Sequence, residues 1–272
     1  EQQKNMITLT GDARIWDATG ATDADSIVID QADGQMIAKG NVRTVREPEN
    51  SDEDKIHATA RQMTTSSDNT KIGYEGNAVL WQGENRLKAD KIAIDRTVQS
   101  IVADGKITNT LKNDDQPVTT IVRSDHMTYS DKDKVALYEG KVNLIRPQLN
   151  VKSDRLRAYL SKEEESASQG PKSTLPKSGL DRAFAEGSVE ILQNDQDRTR
   201  FGKGNSAEYY IADSKVILEG NRAQLTERQP GSDPTKTEGL KLTWFGVTDK
   251  LLVDGAVTKP AITTLRRKNN KK

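Results

Sequence analysis

The chain has 272 residues, a third of them hydrophobic but only 4% aromatic, and its 41 basic and 41 acidic residues cancel to a formal net charge of zero. That balance excludes the strong basic excess of a nucleic-acid binder, and the absence of cysteine excludes disulfides and thiolate metal sites. No apolar run is long enough for a membrane-spanning helix. No secretion signal is visible, and the start, EQQKNMITLTGDARIW, runs straight into strand-like sequence, as expected of a chain whose signal or anchor is missing.

Taken in chain order, the dominant pattern is a glycine that returns: Gly11, Gly40, Gly76, Gly105, Gly140, Gly187, Gly220 and Gly255. Around the first, Ile7, Leu9, Gly11, Ala13 and Ile15 share one parity, the alternation of a half-buried strand. Ile27 and Ile29 alternate in the returning strand, and the polar turn DQADG leads to Met36, Ala38, Gly40 and Val42. Beyond EPENSDEDK the rhythm resumes with Ile72, Tyr74, Gly76, Ala78 and Leu80. Here GNAVLW, ending in Trp81, copies GDARIW, ending in Trp16. LKADKIAIDRTVQSIVADGKI is the cleanest hairpin, with Ile92, Ile94, Ile101, Ala103, Gly105 and Ile107 on one side. After LKNDDQP, Met127 and Tyr129 lead through the turn SDKDK to Ala136, Tyr138, Gly140, Val142 and Leu144.

The segment SKEEESASQGPKSTLPKSGL, residues 161–180, has no apolar rhythm and reads as an insertion. Ala183, Ala185, Gly187, Val189 and Ile191 resume the pattern. At Gly220 it slips: Arg222 takes the inward place while Ala223 and Leu225 are apolar, so a β-bulge is expected. Beyond RQPGSDPTK, Leu242 and Trp244, then Leu251, Val253, Gly255 and Val257, complete it. Residues 261–272, ending RRKNNKK, form a basic tail expected to be disordered.

Sixteen residues before the glycines stands a small residue: Ala24, Ala60, Ala89, Ser124, Gly204 or Gly239, with Ser153 joining them once the insertion is discounted. In four copies Asp follows, as Asp25, Asp90, Asp125 and Asp154. These are expected to satisfy backbone groups where strands begin. A glycine held at one register in mid-strand predicts a line of bends across a sheet. The fold class is therefore all-β: an elongated antiparallel β-jellyroll of roughly sixteen strands built from hairpin repeats, one domain over residues 1–260. By repeat position the long insertion and the three shorter ones fall on opposite rims of the sheet.

The residues offer little for chemistry. His57 and His126 each stand where a strand-like segment begins, with no second ligand at metal spacing. NDQDRTRF lacks the glycine and glutamate of a calcium loop, and GKGNS falls in a strand repeat rather than before a helix. There is no nucleophile elbow and no cysteine nucleophile, so no catalytic residue, metal site or cofactor is assigned.

The stretches ADSIVIDQADGQMIAKGNV, LKADKIAIDRTVQSIVADGKI and GDARIWDATGATDADSIVID resemble the OstA/LptA-type repeat of lipopolysaccharide transport, A-D-x-I-x-I-D, a turn, an apolar strand and G-[ND]-V. The likeness runs from Ile7 to about Val257. It is looser at Ala60-Arg61, Gly204-Asn205 and Gly239-Leu240. The resemblance implies a periplasmic β-jellyroll of V-shaped cross-section in a Gram-negative-type bacterium. Such a protein takes lipid A acyl chains into an apolar interior and carries lipopolysaccharide from the inner to the outer membrane. Its implied partners are lipopolysaccharide, the inner-membrane ABC transporter components, the outer-membrane translocon and further copies of itself, joined head to tail through edge strands. The inward residues that would line the groove are Ile15, Ile27, Ile29, Val42, Ile72, Leu80, Ile92, Ile94, Ile101, Ile107, Val142, Leu144, Val189 and Ile191.

Within that family a soluble bridge is favoured over a translocon, because no amphipathic strands suited to an outer-membrane barrel follow the repeats. A different reading uses the same residues: a structural scaffold of the cell envelope whose two faces close on a dry core. A saccharide-binding module is the weakest reading, with three tryptophans in all. Composition does not choose between a groove and a core.

Overall fold

The computed structural model describes residues 6–48, 54–113, 116–160, 180–195, 197–246, 248 and 250–264. The expected insertion at 161–180, apart from its last residue, and the tail beyond 264 lie outside the described residues. Sixteen strands are present among them. They are β1 (Met6–Asp17), β2 (Gly20–Asp30), β3 (Met36–Arg46), β4 (Ile56–Thr65), β5 (Lys71–Gln82), β6 (Asn85–Asp95), β7 (Ser100–Asn113) and β8 (Gln116–Ser130). There follow β9 (Val135–Arg146), β10 (Leu149–Leu160), β11 (Leu180–Asp195), β12 (Arg198–Tyr210), β13 (Lys215–Arg228), β14 (Thr235–Phe245), β15 (Leu251–Asp254) and β16 (Ile262–Thr264). They form one antiparallel sheet in sequence order from β1 to β15, with β16 also on β14. The expected all-β fold is the observed one.

One sheet alone would leave its apolar face in water. This sheet avoids that by folding along a line that crosses every strand from β1 to β14. On the odd strands from β1 to β11 the fold is made by glycine and its successor, both in the left-handed region. Examples are Gly40 at φ 76° with Asn41 at 47°, Gly105 at 78° with Lys106 at 48°, and Gly187 at 78° with Ser188 at 46°. On β13 Gly220 and Asn221 are not in that region, and a wider slip between Glu219 and Ala223 takes their place. On the even strands two consecutive residues point outward, and the inward parity switches there. In β6, Leu87 and Ala89 are buried, Asp90 and Lys91 are exposed, and Ile92 and Ile94 are buried. Each register slips at this line, as between Glu75 and Ala78 on β5 against Lys91 and Ala89 on β6.

The line divides the molecule into two arms. Arm A holds the second half of each odd strand and the first half of each even one; arm B holds the rest. The two arms face each other over a single apolar core that runs from Ala13 to Trp244. β3 ends and β4 begins on the rim of arm A, as do β7 and β8 and β13 and β14, whereas β10 ends and β11 begins on the rim of arm B. The strand ends flanking the long insertion are thus on the rim opposite those flanking the three shorter ones.

The recurrent aspartates have a different place from the one expected. Asp25, Asp90, Asp125 and Asp154 stand exposed in mid-strand, at the fold line, and not where strands begin. Each sits over the glycine of the next strand. A Cβ on Gly40 would lie 2.0 Å from Asp25 Oδ2, one on Gly105 2.4 Å from Asp90 Oδ2, and one on Gly187 2.3 Å from Asp154 Oδ2. The glycine is therefore needed twice, for its φ and for the room it leaves the carboxylate. Asn41 Nδ2 donates to both oxygens of Asp25 at 3.1 Å. In the looser copies Arg61 covers Gly76, and Asn205 covers Gly220 while accepting from the Asn221 backbone N–H at 3.1 Å.

One expectation holds within β13, and others change at the ends of the sheet. The bulge at Gly220 is present, as a slip between Glu219 and Ala223, and Ala223 and Leu225 are buried. Val257, expected inward, is fully exposed, because β15 stops at Asp254 and Ala256 and Lys259 close a turn with paired hydrogen bonds of 2.8 and 2.9 Å. The tail starts later than residue 261, since Ile262–Thr264 pair with Lys236–Glu238 of β14. Ile7 is 39% exposed because β1 has a neighbour on one side only.

The fold line predicts an asymmetry between two equivalent glycines. Gly11, at φ 77°, has nothing within 4 Å of its Cβ direction, whereas Gly105 has Asp90. Gly11→Ala will cost about 1 kcal/mol, the left-handed penalty alone. Gly105→Ala will cost about 2–3 kcal/mol in urea unfolding, with Asp90→Ala restoring part of the difference. Equal costs would show that the carboxylate packing contributes nothing.

Candidate functional site

The interior between the arms is where the inward residues of both parities meet. Ten of the fourteen groove residues read from the sequence are 2% exposed or less: Ile27, Val42, Leu80, Ile92, Ile101, Ile107, Val142, Leu144, Val189 and Ile191. Ile72 and Ile94 are also buried, and Ile15 and Ile29 pack against the core while partly exposed. All fourteen face inward, yet they are not equivalent. Ile15, Ile29 and Ile72 line an open cleft of about 210 Å³ between the arms at the β1 end. The other eleven do not line it.

The cleft is floored by Met63, Ile72 and Tyr74 and flanked by Ile15 and Trp16 on arm A and Ile29 and Met36 on arm B. Trp16 is 71% exposed beside it. Burial pushes the Tyr74 phenol up from its usual range, so that side chain is neutral and serves as wall. Thr65, 7% exposed, also lines the cleft, and its Oγ1 has no hydrogen-bond partner. Two charged side chains reach the lining, Asp17 and Arg46. Asp17 is spent on its own turn: Oδ1 accepts from Thr19 N at 2.7 Å, Thr19 Oγ1 at 2.6 Å and Gly20 N at 3.0 Å. Those bonds, the Thr19 hydroxyl first, hold its carboxyl below the usual range.

Beyond the cleft the arms are tied together across the interior. Asn109 on arm A donates from Nδ2 to the Tyr138 hydroxyl on arm B at 2.7 Å. Trp244 on arm B, fully buried, donates from Nε1 to Gln193 Oε1 on arm A at 2.8 Å. At the inner edge of the cleft Thr44 Oγ1 approaches Met63 Sδ at 3.3 Å. Near Leu144, Leu156 and Tyr209 the remaining void is about 10 Å³, room for no more than one water. Among the described residues the interior is thus open at the β1 end and tightly packed near Leu144, Leu156 and Tyr209.

The alternation in the sequence places Tyr138 and Trp244 inward, whereas Thr44, Arg46, Asn109 and Gln193 were not singled out from it, although a signal existed. Each continues an inward parity: Val42, Thr44 and Arg46; Ile107 and Asn109; Ile191 and Gln193. A polar residue where alternation demands an apolar one marks a partner across the core. The histidines stand elsewhere. His57 stacks on Trp81 with ring centroids 5.0 Å apart, outside the core. His126 lies in the middle of β8, not at its beginning, with Nδ1 2.6 Å from Asp104 Oδ1. Among the described residues no group of three or more His, Asp or Glu side chains is arranged to hold a metal ion.

A single folded sheet with an apolar interior open at one end defines an elongated β-jellyroll of the LptA-like kind. The profile of the LptA/(LptD N-terminal domain) LPS transport protein family matches residues 1–100 and 121–249, and the chain belongs to this family. Among solved structures it is similar to LptH, the LptA-homologous periplasmic component of the lipopolysaccharide transport device of Pseudomonas aeruginosa. The identity is 18% and the TM-score 0.42, over 56% of this chain and 97% of that one. The comparison with curated proteins gives no match.

The cross-arm ties can be weighed. Tyr138→Phe leaves the Asn109 amide without its oxygen acceptor and will cost about 1–3 kcal/mol in denaturant unfolding. The double variant Asn109→Leu/Tyr138→Phe will cost less than the two singles added, by about 1 kcal/mol. Additive costs would show that the pair does not tie the arms.

Proposed function

We propose that the chain is a periplasmic bridge protein that carries lipopolysaccharide from the inner to the outer membrane, with lipid A acyl chains held between the arms. The observation that carries this reading is the cleft at the β1 end, where Ile15, Ile29, Met36, Met63 and Ile72 stand among polar residues, and which adjoins the continuous apolar core. An acyl chain left in water costs about 0.8 kcal/mol per methylene, so a multi-chain lipid crosses an aqueous gap only under cover. Family membership supports a place in lipopolysaccharide transport. The inner-membrane ABC transporter components and the outer-membrane translocon are the partners proposed on the same basis.

Magnitudes say how cargo enters. A cavity of about 150 Å³ holds a molecule the size of benzene. The cleft, at about 210 Å³, therefore takes the end of one acyl chain as it stands. Deeper loading requires the arms to part. Each tie is a hydrogen bond whose net contribution is about 1 kcal/mol, because both partners regain water on opening. Opening costs little where the freed groups meet water, and about 1–3 kcal/mol for each group left against an acyl chain, which the apolar surface buried with the lipid has to offset.

Edge pairing is the second part of the proposal. β1 offers twelve residues of strand with one neighbour, a template for a partner's strand. At the far end β14 is already covered by the four residues of β15 and the three of β16. The β1 edge supports docking, and the far edge gives head-to-tail self-association less support.

Photoreactive residues placed singly at Ile15, Ile29 and Ile72 will label lipopolysaccharide strongly in the periplasm, those at Ile107 and Val142 more weakly, and those at outward Glu75 and Glu139 not at all. Labelling from the outward positions alone, or from none, would sink the proposal and leave the dry-core scaffold.

A further inference from the structure

The proposed lipid cleft carries a feature that an acyl chain does not explain. Its lining holds one cation, Arg46, the inward continuation of Val42 and Thr44 at the end of β3 on arm A. Among the described residues Arg46 makes no close ion pair; Asp17, the other charge in the lining, feels the Arg46 charge, but its Oδ1 is held by three hydrogen bonds within its own turn. On the facing arm stands Thr65, more than nine-tenths buried in the same lining, with a hydroxyl that has no partner. A purely apolar ligand would leave both groups unsatisfied, and a buried orphan hydroxyl is costly.

The geometry points to a cleft built for an anionic amphiphile: Arg46 binds a phosphate head at the mouth, and Thr65 donates to an ester or amide oxygen at the start of the tail. The inference rests on the lipid-carrying reading and adds the residue that selects the head group. A guanidinium at an aperture suits this role, since its planar fork matches two phosphate oxygens and it remains charged at any working pH. The apolar walls of Ile15, Ile29, Met36 and Ile72 then take the tail. Head and tail are read by different side chains, so the two contributions separate experimentally.

The test uses the full chain and three probes: dodecyl phosphate and dodecyl maltoside, each below its micelle concentration, and inorganic phosphate. Binding is followed by calorimetry and by the fluorescence of Trp16 beside the cleft. Dodecyl phosphate will bind at least about tenfold more tightly than dodecyl maltoside, and inorganic phosphate alone will not bind at the same concentrations. Arg46→Gln will abolish that preference while leaving dodecyl maltoside affinity unchanged, and Arg46→Lys will keep part of it. Equal affinity of the native chain for both amphiphiles, or a preference that survives Arg46→Gln, overturns the assignment while leaving the lipid-carrying reading intact. Binding of inorganic phosphate as tight as that of dodecyl phosphate overturns it in favour of a free-anion site. No binding of either amphiphile removes the lipid-carrying reading and the assignment together.

Discussion

Everything in this molecule follows from one constraint: a single sheet has to bury its own apolar face. No helix or second sheet is available among the described residues, so the sheet folds on itself along one line. The line uses positive φ at two successive residues on each odd strand from β1 to β11 and two successive outward residues on each even strand. Glycine meets the first requirement, and the small-residue-then-Asp pair meets the second. The carboxylate of Asp25, Asp90, Asp125 or Asp154 then settles onto the following glycine, so each strand fixes the bend of its neighbour. The fold is propagated strand by strand, as nearest-neighbour contacts propagate a solenoid.

That construction leaves the interior between two arms joined only along the fold line. What else holds the arms together decides whether the space is core or channel. Apolar packing does most of it, and the pairs Asn109–Tyr138 and Gln193–Trp244 add directional ties at intervals. Such bonds are well suited to a seam that opens. They specify one closed arrangement, yet they dissolve into water at small net cost. The cleft at the β1 end is the place where the seam already stands apart.

The fold was legible because its signals are local and repeated. Alternation with period two, a glycine at one register and polar turns between strands define hairpins without any tertiary knowledge. The inward face was legible for the same reason, down to Ile101 and Ile107 on a strand with a glycine in its middle. The role of the aspartates was not, because it depends on an atom in the next strand. Nor was the difference between Ile15 and Ile107, which share a pattern but not a neighbourhood: one flanks the cleft and the other is sealed. Alternation reports which face a residue takes and says nothing of what stands opposite. Val257 misled for a related reason, since the rhythm continued past the point where Ala256 and Lys259 turn the chain.

The unequal ends of the sheet bear on stoichiometry. An assembly that grows without limit needs two complementary sticky surfaces per subunit, so that every addition creates the next acceptor. Here, among the described residues, one terminus presents a long unpaired strand and the other is capped by two short ones. The far end still has edges, but they are the short outer sides of β15 and β16, so strand pairing there offers far fewer backbone hydrogen bonds than pairing along β1. Growth by edge pairing is limited by the weaker of the two contacts, so the length of β15 and β16 sets how far it proceeds.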